Sequence, residues 1–346
     1  MKKLGFLIAG VSLFLNGALL ASVRPCPGEF SVTAEWVYLD PIIDNPYYVI
    51  QNKEFDDGST EFDPVVGPRK ANELDYNSGF RLEAMYAFCD CMSDFRLAWT
   101  HLDSDQKDRV RRGEKTDLIP TVGHPDELDG QGYDLAASKI DFDFDRVEGV
   151  FGYRLLNCGC LDLVMEFGLQ YVRIETKVKD KYIEFERVTD EAGKTTLGEG
   201  IDRLDVYSAR SCFWGIGPQI GFDLNYCLCG DFSFVATANW ALLVGENETK
   251  SFLVENLQRE RPDLDVDVKN ACLYRIVPAT HMRAGLNYGF DCGCWDFNIE
   301  GGYQFYSYVR ALDTIEFIDN NMEGRSLDIY SDAGMHGPYV SLIFNF

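Results

Sequence analysis

Large apolar side chains occupy every second position in long parts of the chain, and mostly polar or small residues fill the positions between them. The segment from Trp295 to Phe305 shows the pattern most clearly, and the segment from Met282 to Phe290 precedes it with the same alternation. A period of two is typical of β-strands that present one apolar face and one polar face. The pattern therefore predicts an all-β chain built from hairpins.

A repeated cysteine motif marks the turns of four such hairpins. Two cysteines separated by one residue stand between two alternating segments, and the first cysteines of successive motifs are 69, 69 and 65 residues apart. This regular spacing indicates an internal repeat of one hairpin and one long connection. The four motifs are Cys89/Cys91, Cys158/Cys160, Cys227/Cys229 and Cys292/Cys294.

Two end segments, Phe30–Tyr38 and Val340–Phe346, also alternate and bring the predicted strands to ten. Short cysteine turns at one end and long polar loops at the other are typical of a transmembrane antiparallel up-and-down β-barrel. Eight and twelve strands fit the same pattern. The apolar positions change register within one strand, which predicts a bulge near Asp145–Arg146. The long polar loops are predicted at about residues 40–76, 103–138, 175–210, 245–279 and 311–335.

Alternation also fits a soluble β-sandwich, which buries its apolar face. Three features favour a barrel in the outer membrane instead. The strands reach the roughly 9–11 residues that cross a bilayer, and aromatic residues lie near strand ends, where interfacial girdles form. The chain also ends on Phe346, with Val340, Leu342 and Phe344 at alternate positions before it. A terminal strand of this kind is an insertion signal that the barrel-insertion machinery reads.

The first 21 residues have the features of a cleaved signal peptide. Lys2 and Lys3 precede the apolar stretch Leu4–Leu15, and small residues lead to a cleavage site after Ala21. We therefore expect a signal peptide at 1–21, a short periplasmic segment at 22–29 and a barrel over 30–346. No other apolar stretch has the roughly 18 residues of a transmembrane helix, which excludes an α-helical membrane protein.

The net charge of the chain limits the classes of molecule that it can bind. The 346 residues include 32 Lys and Arg against 56 Asp and Glu, so the formal charge is −24. This balance excludes a general binder of the nucleic-acid phosphate backbone. Charged residues at the polar positions of the strands suit a wet or ion-paired lumen, and the lumen-facing candidates are Arg81, Glu83, Arg96, Arg154, Glu166, Asp223, Arg283 and Glu300.

Several segments are similar to a known family. The opening Phe30–Leu39, the Gly79–Glu83 strand and the aspartate-rich loops resemble the major-outer-membrane-protein-like, pore-forming family of Legionella and chlamydia-related bacteria. The cysteine turns resemble those expected in the cysteine-rich, disulfide-linked envelopes of the chlamydia-related bacteria. The resemblance covers most of residues 28–346, implies a porin-like barrel and supplies no catalytic residues.

The cysteines of an exported protein commonly form disulfides. Cys26 and the four turn motifs would lie on the periplasmic rim, and Cys212 and Cys272 in or beside the outer loops, where they could bridge two loops. Four uses of the rim cysteines stay open: a stiffened rim, cross-links to other envelope proteins, thiolate metal binding without histidine, and redox catalysis. The last is least favoured because the chain has no C-x-x-C motif. We predict no specific metal site. The disulfide candidates are Cys26, Cys89, Cys91, Cys158, Cys160, Cys212, Cys227, Cys229, Cys272, Cys292 and Cys294.

Together these features predict an outer-membrane porin for small hydrophilic solutes or ions. The acidic loops predict a preference for cations. Two other functions stay open, a non-conducting structural protein cross-linked through cysteines and a surface adhesin that acts through its loops. We interpret His101, beside Asp103 and Asp105, as an interfacial or loop histidine, and we expect neither enzyme activity nor a cofactor. Expected partners are outer-membrane lipid and lipopolysaccharide, the barrel-insertion machinery, and a homo-oligomer or disulfide-linked envelope proteins.

Overall fold

A computed structural model describes residues 28–44, 46–53, 65–90, 92–113, 116–122, 132–189, 195–255, 263–291, 296–317 and 326–346. The predicted signal peptide and Cys26 lie outside these residues. None of the described residues belongs to a helix long and apolar enough to cross a membrane. The strands are β1 (Phe30–Ile43), β2 (Tyr47–Lys53), β3 (Arg69–Ala71), β4 (Asn77–Ala87), β5 (Ser93–Arg111), β6 (Thr116–Pro120), β7 (Leu135–Cys158), β8 (Leu161–Thr189), β9 (Thr195–Cys229), β10 (Phe232–Glu255), β11 (Asp263–Asp291), β12 (Asp296–Phe317) and β13 (Ser326–Asn345).

Ten of these strands close into an antiparallel barrel in the order β1-β4-β5-β7-β8-β9-β10-β11-β12-β13. The barrel closes where β1 pairs with β13, from Ser31 opposite Asn345 to Ile43 opposite Ala333. The remaining three strands form a small sheet in the order β3-β2-β6. The prediction of an all-β, ten-stranded antiparallel barrel is confirmed.

Two of the cysteine turns are two-residue hairpins. Cys158 pairs with Leu161 and Cys229 pairs with Phe232. Gly159 and Gly230 take the first turn position with φ of 62° and 56°, as a glycine-led tight hairpin requires. In the β9–β10 hairpin both cysteines therefore precede the turn instead of forming it.

The extent of the long loops is predicted wrongly. β8 continues to Thr189 and β9 begins at Thr195, so most of the predicted loop 175–210 is a paired hairpin. The hairpins β10–β11 and β12–β13 also extend into their predicted loops. Beyond the membrane the outward face meets water, so polar side chains occupy it and the alternation that identifies a strand fades.

The predicted bulge near Asp145–Arg146 is also absent. β7 pairs with β5 without interruption from Arg111 opposite Leu135 to Ser93 opposite Tyr153. The apolar side chains change face because Ile140 and Phe144 fill the lumen, whereas Phe151 and Tyr153 face outward nearer the short-turn end. A bulge does occur in β7, but at Arg154–Leu156, beside the turn.

An apolar belt surrounds the short-turn half of the barrel on its outside. On β8, Phe167 and Leu169 are 51% and 57% exposed, and the outward positions beyond Tyr171 are charged, beginning with Arg173. Four of the five tryptophans, Trp36, Trp99, Trp214 and Trp240, lie on this outer surface. The belt also includes Leu97, Ile216, Leu242, Ile299 and the terminal-strand residues Val340, Leu342, Phe344 and Phe346. An exposed apolar surface of this size is the surface that lipid would cover.

Candidate functional site

The inward side chains of the short-turn half form a layer of charge. Seven of the eight lumen-facing candidates line one cavity of about 80 Å³ there: Arg81, Glu83, Arg96, Glu166, Asp223, Arg283 and Glu300. Arg154 is placed elsewhere, at the short-turn rim, where its Nε lies 2.9 Å from Asp162 Oδ1. None of the seven is the direct register partner of another. The tilt and stagger of barrel strands bring inward positions that are offset in register to one height.

Arg96 joins carboxylates from three strands. Its Nη2 donates to Glu166 of β8 and lies 3.4 Å from Asp223 Oδ2 of β9. Its Nε lies 3.7 Å from Asp94 of its own strand. The Arg96 side chain is only 11% exposed. A buried guanidinium is stable here because several carboxylates offset the cost of removing it from water.

Arg283 makes the equivalent connection at the barrel seam. Its Nη1 donates to Glu35 Oε2 at 2.9 Å, and its Nη2 donates to Glu300. Glu300 also accepts the Tyr339 hydroxyl at 2.7 Å, and Glu35 accepts the Ser341 hydroxyl at 2.7 Å. The seam between β1 and β13 is thus linked through the lumen as well as through its backbone ladder.

A third cluster centres on Glu148. It accepts from Arg81 at 2.9 Å, from Arg146 at 2.5 Å and from Gln219 at 3.0 Å. We name the combined set of four arginines and seven carboxylates the ionic layer. Its members are Arg81, Arg96, Arg146 and Arg283 with Glu35, Glu83, Asp94, Glu148, Glu166, Asp223 and Glu300.

The sequence analysis missed Glu35, Asp94, Arg146 and Glu148. Arg146 and Glu148 could have been found from the sequence. In a β7 without a bulge, both occupy the same set of alternate positions as Ile140 and Phe144, whose side chains face the lumen. Glu35 alternates with the outward Trp36 and could be found in the same way.

A second layer, built from apolar residues, crosses the lumen beyond the ionic layer. Phe142, Phe144 and Phe213 are completely buried within it, and Tyr306 and Tyr308 pack against Phe144 with ring centroids 5.8 Å apart. We name this set the apolar layer. Its other fully buried members include Val37, Leu39, Leu102, Val172, Ile174, Leu243, Val277, Ala333 and Met335.

Tyr306 connects the two layers. The His281 ring stacks on it with a centroid distance of 4.2 Å, and the Arg146 guanidinium lies 5.6 Å from its centroid. Its hydroxyl donates to Gln304 at 3.0 Å. The apolar layer therefore rests directly on charged and polar neighbours at its short-turn side.

On the other side of the apolar layer lies a second cavity, of about 170 Å³. Ile140, Val178 and Tyr207 line it together with Asp180, which is 1% exposed. Burial raises the pKa of Asp180 to about 7, and contact with Ser138 offsets part of the rise. Asp180 is therefore partly protonated near neutral pH.

The small sheet covers this cavity at the long-loop end. Tyr48 of β2 lines the cavity, and its carbonyl oxygen accepts the Tyr182 hydroxyl of β8 at 2.7 Å. Tyr48, Val49 and Leu118 form a buried cluster with Tyr133 and Tyr182. The β2–β3–β6 sheet is thus fixed to the barrel wall as a cap.

The histidine singled out in the sequence lies outside the lumen. His101 Nδ1 is 2.9 Å from Asp145 Oδ1 on the next strand, and the His101 ring packs beside Trp99 and Phe80 at the edge of the apolar belt. Asp103 and Asp105, its expected neighbours, continue outward along the same strand. The pair is half-buried on the outer wall, and it does not line either lumen cavity.

The cysteines lie mainly at the short-turn rim. Cys89, Cys158 and Cys229 are exposed there, and Cys160 and Cys227 are half-buried. The Cys227 amide donates to the Cys160 carbonyl at 2.7 Å, so these two turns are neighbours. Cys91, Cys292 and Cys294 lie outside the described residues, as does Cys26, and the disulfide pairing stays a prediction.

The suggested bridge between Cys212 and Cys272 does not fit the strand order. Cys212 lies on β9 opposite Glu248, and β10 separates it from Cys272 on β11. Two strand spacings amount to about 9.5 Å, beyond the roughly 7 Å between Cα atoms that a disulfide can span. This expectation is wrong because both residues belong to paired strands and not to loops.

Comparisons with known proteins give one family. Residues 24–346 match the profile of the family described as Legionella pneumophila major outer membrane protein precursor. No curated protein sequence matches the chain.

Solved structures share the general form at low identity. The outer membrane protease OmpT of Escherichia coli is similar over 94% of this chain and 98% of its own, with 12% identity and a TM-score of 0.41. The toluene transporter TodX of Pseudomonas putida is similar over 97% of this chain and 94% of its own, with 10% identity and a TM-score of 0.34.

Proposed function

Because this chain belongs to the Legionella pneumophila major outer membrane protein precursor family and forms a β-barrel of the bacterial outer membrane, we propose that it is a narrow ion pore with a closed resting state. The lumen supports this proposal more than the loops do. Charged side chains and a cavity lie on the short-turn side of the apolar layer, and a second cavity lies on the other side. A closed pore contains cavities that an apolar layer separates, and this lumen has that arrangement.

The size of the barrel explains why the resting lumen is filled. Barrels of about eight strands are just wide enough for side chains to fill, whereas those with about 16–18 strands leave an aqueous channel. Ten strands lie close to the first case. Conduction therefore requires side chains of the apolar layer to move aside, in the manner of hydrophobic constrictions that gate by excluding water.

The ionic layer also supports a preference for cations. Seven carboxylates stand against four arginines, so the fully ionised layer has an excess of three negative charges. Rings of acidic side chains favour cations in other channels. An ion that passed the apolar layer would meet this excess along the remaining half of the lumen.

The reversal potential tests the proposal. Purified protein, refolded in detergent and inserted into a planar bilayer, is placed between potassium chloride solutions of unequal concentration. We expect brief, small conductance steps and a reversal potential of the sign that cation preference gives. Anion preference would contradict the role of the ionic layer, and a folded protein without any steps would contradict the pore.

One observation favours a second function. The exposed rim cysteines Cys158 and Cys229 are accessible to thiols of other envelope proteins. A non-conducting structural component, cross-linked through these cysteines, is therefore the alternative. Outer membranes prepared with a thiol-blocking reagent would show high-mass species that dissociate on reduction, and a Cys158→Ser/Cys229→Ser variant would lose them.

A further inference from the structure

Basic side chains line up across four neighbouring strands on the outer wall. Lys177 of β8 is directly opposite Arg210 of β9, and Arg210 is opposite Lys250 of β10. Lys250 is in turn opposite Lys269 of β11. We name these four residues the cationic row. All four face away from the lumen, with side chains 44–53% exposed.

The row is unusual for two reasons. Like charges directly opposite one another on adjacent strands destabilise a sheet, and the chain has 56 acidic residues against 32 basic ones. Each cation of the row has a carboxylate neighbour, and Lys177 Nζ also lies 3.7 Å from Asp143 Oδ2. Glu175 is shared, because Lys177 Nζ and Arg210 Nε lie 2.9 Å and 2.7 Å from its Oε1. Lys250 and Lys269 each have one acidic neighbour, Asp267 at 3.4 Å and Glu248 at 2.7 Å.

The row occupies one sector of the barrel and not its whole circumference. At the same height, the position opposite Lys177 on β7 is Asp141, and Asp141 is opposite Asp105 on β5. At this height the outer wall therefore changes sign between β7 and β8.

The height of the row relative to the apolar belt identifies the partner. Arg210 is four residues beyond the belt residue Trp214 on β9, which is about 13 Å along the strand. A strand tilt of about 35–45° makes this roughly 10 Å above the belt. Arg173, opposite Trp214, is a further cation at the edge of the belt that faces the row. Polar headgroups of the outer leaflet lie in this zone.

We propose that the cationic row binds the phosphate groups of lipopolysaccharide while the adjoining apolar belt contacts its acyl chains. Arginine and lysine are suited to phosphate, the first through paired hydrogen bonds and the second as a compact point charge. An anion placed between neighbouring side chains would relieve the repulsion within the row. The site depends only on the barrel fold and its membrane location, so it stands or falls independently of the pore.

Lipid retention by the folded protein tests this proposal. Full-length wild type and a Lys177→Gln/Arg210→Gln/Lys250→Gln variant are refolded in detergent and titrated with bisphosphorylated lipid A, and bound lipid is counted by native mass spectrometry. The matched control is Lys53→Gln/Arg69→Gln/Lys70→Gln in the small sheet, which removes the same three charges. Each cation near a charged lipid surface changes affinity about fivefold, so we expect the row variant to bind about a hundredfold more weakly. The control should match the wild type.

Three results would overturn the proposal. The first is equal retention of lipid A by the row variant and the wild type, with both shown to be folded by their heat-dependent shift on gels. The second is equal competition by inorganic phosphate at the concentration of lipid A, which would assign the row to free anions. The third is loss of a dimer in the row variant without any change in lipid binding. This would instead assign the row to the aspartate sector of a second copy.

If the triple variant fails to fold, the single Lys250→Gln variant, expected to bind about fivefold more weakly, replaces it.

Discussion

The charged side chains of the lumen differ in how strongly each depends on its ion-pair partners. Arg96 is the partner of Glu166, Asp223 and Asp94, and only 11% of its side chain is exposed. Arg154 pairs with Asp162 at the rim, where 22% of its side chain is exposed. Removal of a buried partner leaves uncompensated charge, whereas a rim carboxylate can be solvated.

We therefore expect Arg96→Met to lower the free energy of unfolding by about 3–5 kcal/mol. Arg154→Met, the same substitution at the rim, should cost distinctly less. Urea unfolding in lipid vesicles, followed by tryptophan fluorescence, measures both. Equal losses for the two variants would show that the ionic layer is not a mutually dependent network.

The buried carboxyl group of Asp180 leads to a second prediction at the residue scale, on how stability changes with pH. In the folded barrel burial raises its pKa to about 7, from an ordinary value of 3.8. Because the unfolded chain releases this proton at lower pH, the folded state binds more protons between about pH 4 and pH 7, and stability falls as pH rises through that range. The Asp180→Asn variant should therefore unfold at a higher temperature than the wild type at pH 8.5.

At pH 5 the advantage of the Asp180→Asn variant should shrink, because the wild-type carboxyl is then protonated when folded. Asp103→Asn, which removes a carboxylate from the outward face, is the matched control. A gain for Asp180→Asn that is the same at pH 5 and pH 8.5 would contradict the assignment of the raised pKa to this residue.

At the level of strands, the long hairpins continue well beyond the apolar belt. On β8 the outward side chains past Tyr171 include Arg173, Lys177 and Lys179, all within paired strand. A protease needs an extended, unpaired segment, so a paired strand resists cleavage even where its side chains are basic.

Trypsin should consequently spare Arg173, Lys177 and Lys179 in the folded protein, although all three are candidate cleavage sites. The same bonds should be cut after heat unfolding, which serves as the control. Mass spectrometry of the fragments identifies the cut positions. Rapid cleavage after Lys177 or Lys179 in the folded barrel would support the loop that the polar sequence suggests.

The strand pattern also shows what a sequence can predict for such a barrel. The ten strands and their hairpin order follow from a period of two that persists wherever one face meets lipid. The three strands of the small sheet were missed, because β3 has only three residues and β2 pairs with distant β6. The register change in β7 was read as a bulge because the lumen was expected to be polar throughout, whereas Phe142 and Phe144 fill its middle.

At the level of the whole molecule, the barrel is a stack of layers along one axis. The ionic layer lies nearest the short turns, the apolar layer crosses the lumen beyond it, and the cap formed by β2, β3 and β6 covers the outer cavity. Outside, the apolar belt and the cationic row occupy successive heights on the wall. The apolar layer therefore separates the two cavities of the lumen.

The apolar layer is the central element, and single-channel recording with an opened layer tests it most directly. The Phe144→Ala/Tyr306→Ala variant removes two large rings that pack together in the layer. The control Phe151→Ala/Tyr153→Ala removes the same residue types from the outward face of β7. If the apolar layer is the gate, the first variant will open more often and with larger, cation-selective steps than wild type, while the control will behave as wild type. A folded Phe144→Ala/Tyr306→Ala barrel that conducts no better than wild type would contradict the gate and favour the non-conducting structural role.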